Sequence, residues 1–193
     1  VTSTLAALDG INSGGGLFFD MAAVGDFVQV DRIDARMLSG THTVELWTVV
    51  DRTSHIGKET NSALWTRQGV TTVTVAAAAS DTVVSLFSNL RIVLEPGGVQ
   101  GCYIISTSGG FPFSYDFGTQ GMSYASNSVV ELRTGSRSDT PWVITITGRS
   151  ADIQVRARYN SSTPDAIAEN FSGGSGILAP AGPLSHLSDG NHP

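Results

Sequence analysis

Apolar and polar residues alternate with a period of two along several parts of this chain, and that pattern most constrains its fold. Ile153, Val155, Ala157 and Tyr159 alternate with Gln154, Arg156 and Arg158, which puts one set on each face of a half-buried strand. Val44 and Leu46 alternate with Glu45 and Trp47, Val130 and Leu132 with Glu131 and Arg133, and Trp142, Ile144 and Ile146 with Val143, Thr145 and Thr147. In residues 27–38 the apolar phase runs through Val28 and Val30, then resumes out of step at Ile33, Ala35 and Met37. A β-bulge near Asp31 and Arg32 restores the buried face.

Further strands are expected over residues 17–20, 65–75, 90–94 and 101–107, where β-branched and aromatic residues concentrate. Turn clusters separate them: Ser39-Gly40, Glu95-Pro96-Gly97-Gly98, Ser108-Gly109-Gly110 and Thr134-Gly135-Ser136. No stretch supplies a helical layer. Eight to ten short strands of this kind predict an all-β, antiparallel β-sandwich, with a jelly roll as the expected architecture. Val44, Leu46, Ile104, Ile144, Ile153 and Val155 are its expected inward residues. A sandwich over residues 17–159 then carries an N-terminal arm, 1–16, and a C-terminal arm, 160–193. Both ends are rich in Gly, Ser or Pro with isolated apolar residues.

Composition narrows the function classes. Seventeen acids against 11 bases give a net charge of -6, without the basic footprint that nucleic acid requires. The single cysteine forms no internal disulfide, and no paired CxxC or HExxH motif offers a metal site. No apolar run approaches the ~18 residues of a bilayer span, so no membrane insertion is expected. The start at Val1 shows no leader and fits either loss of an initiator Met or a processed form. No cofactor is expected.

Candidate chemistry is sparse. There is no GxSxG elbow; His42 reads as a turn residue and His55 as part of a polar surface loop. Asp31 and Asp34 read as charges on the wet face of a sheet. The absence of spaced acids and bases predicts no enzyme. Aromatic residues are the one binding feature: Trp47, opposite Val44 and Leu46, and Phe111, Phe113, Tyr115 and Phe117 in a loop after paired glycines. A flat exposed set of this kind stacks on sugar rings.

The run Gly14-Gly15-Gly16-Leu17-Phe18-Phe19-Asp20-Met21, then Val30-Asp31-Arg32-Ile33-Asp34 and Gly40-Thr41-His42-Thr43-Val44-Glu45-Leu46-Trp47, resembles a β-sandwich module. That module occurs in bacterial extracellular and surface proteins and in phage and environmental sequences. The resemblance continues through residues 57–65 and 101–109 and covers about residues 14–159; Lys58 and Cys102 depart from its pattern. It implies the fold and a context, and brings no catalytic residues. With no leader or sorting tail, it implies a non-enzymatic structural component of a phage or phage-like virion: a capsid decoration, fibre or tail-associated protein. Its expected partners are other virion proteins and copies of itself, in a trimer or a lattice. The arms would make the contacts through Leu5, Leu8, Ile11, Phe171, Ile177, Leu178, Leu184 and Leu187. The alternative is a secreted or cell-surface module that binds a carbohydrate, such as a host-surface glycan.

Overall fold

The computed structural model describes residues 1–8, 10–77 and 81–159. It is all-β, with antiparallel pairing throughout. One row of strands runs β1 (Thr2–Ala7), β13 (Ile153–Tyr159), β4 (Val28–Met37), β7 (Thr82–Leu94). A second runs β3 (Gly16–Ala23), β8 (Val99–Ser106), β5 (Gly40–Val49), β6 (Trp65–Val75). On its far side, β3 pairs with β11 (Val130–Ser138), which also pairs with β10 (Ser123–Ser126) and β12 (Ile146–Ala151). β9 (Phe113–Phe117) pairs with β12, with the short β2 (Asn12–Gly14) and, at Met37, with β4, so the two rows join along one side.

A single apolar cluster lies between the rows. Leu17, Phe19, Met21, Val44, Leu46, Ile104, Val130 and Leu132 from one row meet Val30, Ile33, Ala35, Met37, Ile153 and Val155 from the other. This is the face that the period-two alternation selects. Of the six expected inward residues, five have no exposed surface. Ile144 is the exception and is only half-buried. The strand expected over residues 142–146 is instead a turn: Trp142 sits at φ 63, Thr140 bridges Val143, and β12 begins only at Ile146.

The bulge falls at Asp31. Arg156 faces Arg32 and Ala157 faces Val30, so Asp31 has no opposite number on β13, and Val30 and Ile33 both reach the core. Asp31 and Asp34 do not lie free on a wet face as expected. Arg156 and Arg158 cover Asp31, Arg32 grips Asp34 from 2.8 Å, and both carboxylates are buried. The Thr134-Gly135-Ser136 segment, read as a turn, is an irregularity inside β11 where the register shifts.

The N-terminal segment also differs from expectation. Within the segment expected as an arm, the described residues pair with the chain's own strands: β1 is laid antiparallel on β13 from Thr2↔Arg158 to Ala7↔Ile153, and β2 on β9. Leu5 is buried in the chain's own core and Leu8 is half-buried, leaving Ile11, 88% exposed, as the one outward apolar residue of the three. The polar content of this segment suits a strand with one wet face as well as it suits an arm. Phe171, Ile177, Leu178, Leu184 and Leu187 lie outside the described residues.

Candidate functional site

The aromatic segment expected as a loop runs into β9, where Phe113, Tyr115 and Phe117 share one phase of the pleat and differ in depth. Gly109 and Gly110, at φ 83 and 80, turn the chain after β8 into conformations that suit glycine, and Phe111 emerges from that turn half-exposed. Phe113 is fully buried in the core and offers nothing to a ligand. Tyr115 is also buried and belongs to the same core cluster, and Phe117, at the strand's end, is 60% exposed.

Two arginines from neighbouring strands lie between these rings. The Arg137 guanidinium, on β11, stands 5.2 Å from the Phe111 centroid and 5.6 Å from that of Tyr115, and its Nη1 donates to the Tyr115 hydroxyl at 3.0 Å. Arg149, on β12, stands 5.6 Å from Tyr115 and 4.5 Å from Phe117. The result is a ladder in the order Phe111, Arg137, Tyr115, Arg149, Phe117, each cation held by the negative face of a ring. The two cations differ. Asp139 takes Arg137 in a two-pronged pair at 2.7 Å, which holds that guanidinium's pKa above its ordinary value. Arg149 forms no ion pair among the described residues; its Nη1 donates to the Gly148 and Thr147 carbonyls, while its buried Nε has no hydrogen-bond partner.

Beside Phe117 an open cleft of about 470 Å³ is lined by Leu8, Asp116, Tyr124, Ser150 and the alanines of β1. An exposed ring, an unpaired guanidinium and a cleft lined by a carboxylate and a hydroxyl make a surface that can stack a sugar ring and hold its polar groups. Sequence reasoning found the rings and missed the arginines. Both arginines stand between small residues, Ser136 and Ser138 or Gly148 and Ser150, on the outward phase of their strands, and that spacing is the signal that could have found them.

Trp47 belongs elsewhere. It meets Trp142 edge-on at 5.2 Å, carries Arg67 over its ring at 5.9 Å, and donates from Nε1 to Glu45. With Trp65, Tyr103 and Phe18 it covers the outer side of β3, β8 and β5, and Phe18 and Tyr103 stack 3.8 Å apart. Trp47 is thus half-buried among ring and cation neighbours, away from the β9 aromatics. Burial pushes the Tyr103 hydroxyl up to about 12, against a hydrogen bond to Ser138 that lowers it.

The loop after β5 closes this second cluster, and within it His55 is the main departure from the sequence reading. His55 is fully buried, not on a polar surface. Asp20 on β3 accepts from its backbone N–H at 2.9 Å and lies 2.7 Å from its Nδ1, while the second Asp20 oxygen accepts from Ser54 at 2.6 Å. Burial opposes ionisation of Asp20, but the hydrogen bonds and charge of His55, with Ser54, outweigh it and hold the carboxyl below its ordinary range. Nε2 of His55 has no hydrogen-bond partner and stands 3.9 Å from Glu59. With His55, Asp20 and Glu59 all buried, the cluster works as a clamp on the loop. No group of three or more potential metal ligands occurs among the described residues.

No protein-family model matches the chain, and no curated protein matches it.

Proposed function

We propose that the chain is a non-enzymatic jelly-roll module that serves as a structural component of a phage or phage-like particle, in contact with copies of itself and with other virion proteins. The observation that carries this reading is the strand order. In chain order, β1, β3, β4, β5, β6, β7, β8 and β13 are dealt between the rows β1-β13-β4-β7 and β3-β8-β5-β6. With β2 and β9–β12 set aside as additions, that order supports reading the chain as a jelly roll, an architecture of viral capsid and lectin domains. The step from architecture to particle is an analogy of fold, and the resemblance of residues 14–159 to a module found in phage sequences supports it. The test is mass spectrometry and imaging of purified particles from the source. The chain should be present at a fixed copy number per particle; its absence from particles, with recovery in the secreted fraction, would overturn the reading.

The Phe111–Phe117 ladder favours a second reading, a secreted or surface module that binds carbohydrate. Its stacking rings and unpaired Arg149 suit a sugar polymer that bears acidic groups. Glycan-array binding lost in both Phe117→Ala and Arg149→Ala would support it, and binding indifferent to both would remove it.

A further inference from the structure

The edges of the two rows are not alike. β7 is interrupted by register shifts against β4 and by Asn89 at φ 59, which are the irregularities that keep an edge from templating another chain. β1 is short. β6 is different: among the described residues it pairs with β5 alone, and its register runs unbroken from Gly40↔Val75 to Leu46↔Gly69. The segment 69–75 reads Gly-Val-Thr-Thr-Val-Thr-Val, with no charge and no proline, a composition of high strand propensity that proteins usually guard at an exposed edge. Phe87 of β7 lies under Gly69 but β7 pairs with β4, not with β6.

The segment is also self-complementary. Val70, Thr72 and Thr74 face outward and are exposed; Val73 and Val75 face the core. An antiparallel copy centred on Thr72 sets Val70 against Thr74, Thr71 against Val73, and Thr72 against itself, so each residue meets one of its own face. Thr41–Thr74 and Thr43–Thr72 hydroxyl pairs, at 3.0 and 3.1 Å, already line the wet face of β5 and β6, and the second copy would extend that stripe. No like charges oppose one another across the two-fold axis.

We propose that a second copy of this chain pairs with β6 through residues 69–75, antiparallel about Thr72, to join two subunits in a continuous sheet. A two-fold contact of this kind is isologous and stands whether or not the chain belongs to a particle. The experiment is sedimentation velocity of the full chain over a concentration series. The wild type should form a dimer at high concentration. Thr72→Lys sets two ammonium groups across the axis and should weaken the dimer at least about tenfold in Kd; Thr72→Glu should do the same, and an equimolar mixture of the two should dimerise again. Hydrogen exchange on the wild type should show amides in 69–75 slowing as concentration rises, which decides the matter even if a variant fails to fold. A wild type that is monomeric at every concentration, a Thr72→Lys dimer as tight as the wild type, or a mixture that stays monomeric would each overturn the proposal.

Discussion

Nδ1 of His55 lies 2.7 Å from Oδ1 of Asp20, across a sequence separation of 35 residues, and both side chains are buried. This pairing pins the loop after β5 to the outer face of β3. Because the folded-state pKa of Asp20 lies below its unfolded value, its contribution to stability is complete above the ordinary aspartate pKa near 3.8 and is lost as pH falls through the folded value. Asp20→Asn removes the charge and leaves Ser54 and His55 with a poorer acceptor. It should cost about 2–4 kcal/mol at neutral pH. Denaturant unfolding from pH 7 down to pH 2 checks this: the variant should lose less stability over the acid range than the wild type.

A second test of the same clamp is steric. A Cβ at Gly101 on β8 would stand 2.5 Å from the backbone nitrogen of His55 and 2.7 Å from Val49. The loop backbone also bonds this position, since Gly101 N–H donates to the Thr53 carbonyl. Gly101→Ala should therefore destabilise the fold by about 1–3 kcal/mol, although alanine suits a strand better than glycine does. Thermal unfolding reads the loss, and an unchanged midpoint would show that the loop does not rest on β8.

At the bulge, Asp31 accepts from Arg156 at 3.0 Å and from Arg158 at 2.9 Å. Both arginine side chains are substantially exposed, so screening limits the worth of each pair. Asp31→Ala should cost about 1–2 kcal/mol, less than the buried Asp20 change. Denaturant titration of the two variants side by side gives the order.

The parts of the fold legible in the sequence are those where one face is wet and one dry. Residues 153–159 have the bounds the alternation gives and 65–75 those its β-branched and aromatic content gives, and the bulge at Asp31 was readable from the phase slip between Val30 and Ile33. Strands with both faces covered were less legible. β3 is buried along its whole length, because the loop carrying His55 packs on its outer side, and alternation carries no information there. That also hid the Asp20–His55 pair: a polar loop folded onto a strand looks, in sequence, like any exposed loop. The turn at Trp142 mimicked a strand because Trp142, Ile144 and Ile146 keep the period while the backbone leaves the sheet. Phe113 and Phe117 share a strand and a phase, yet one is core and the other surface, a distinction made by what lies beyond the strand's end.

The ladder makes a prediction independent of any ligand. Arg149 and Phe117 face each other at 4.5 Å, the closest of the cation–ring contacts in the ladder, with Phe117 more than half exposed. A double-mutant cycle with Arg149→Ala and Phe117→Ala should return a coupling of about 0.5–1 kcal/mol. The single changes should leave the fold intact. Coupling near zero would mean that the stack on Phe117 is incidental and that Arg149 is held by its other contacts, the Thr147 and Gly148 carbonyls among them.

Deletion of residues 1–8 separates a strand from an arm. An arm that orders only on a neighbour contributes nothing to the stability of the isolated chain, so its removal leaves the unfolding midpoint where it was. β1 is in register with β13 over six residue pairs, from Thr2↔Arg158 to Ala7↔Ile153, and the Val1 ammonium reaches the Tyr159 carbonyl at 3.0 Å. Leu5 is buried in the central cluster; losing it alone costs about 2–3 kcal/mol of apolar burial. The deletion also bares the backbone of β13 along its length, and β13 carries Ile153, Val155 and Ala157 of the core. An unguarded edge of this kind recruits other chains. The truncated protein should therefore unfold at markedly lower denaturant concentration and aggregate on concentration, whereas Leu5→Ala should lose stability by ~2–4 kcal/mol without aggregating. A truncated chain as stable and as soluble as the full one would return residues 1–8 to the role of an assembly arm.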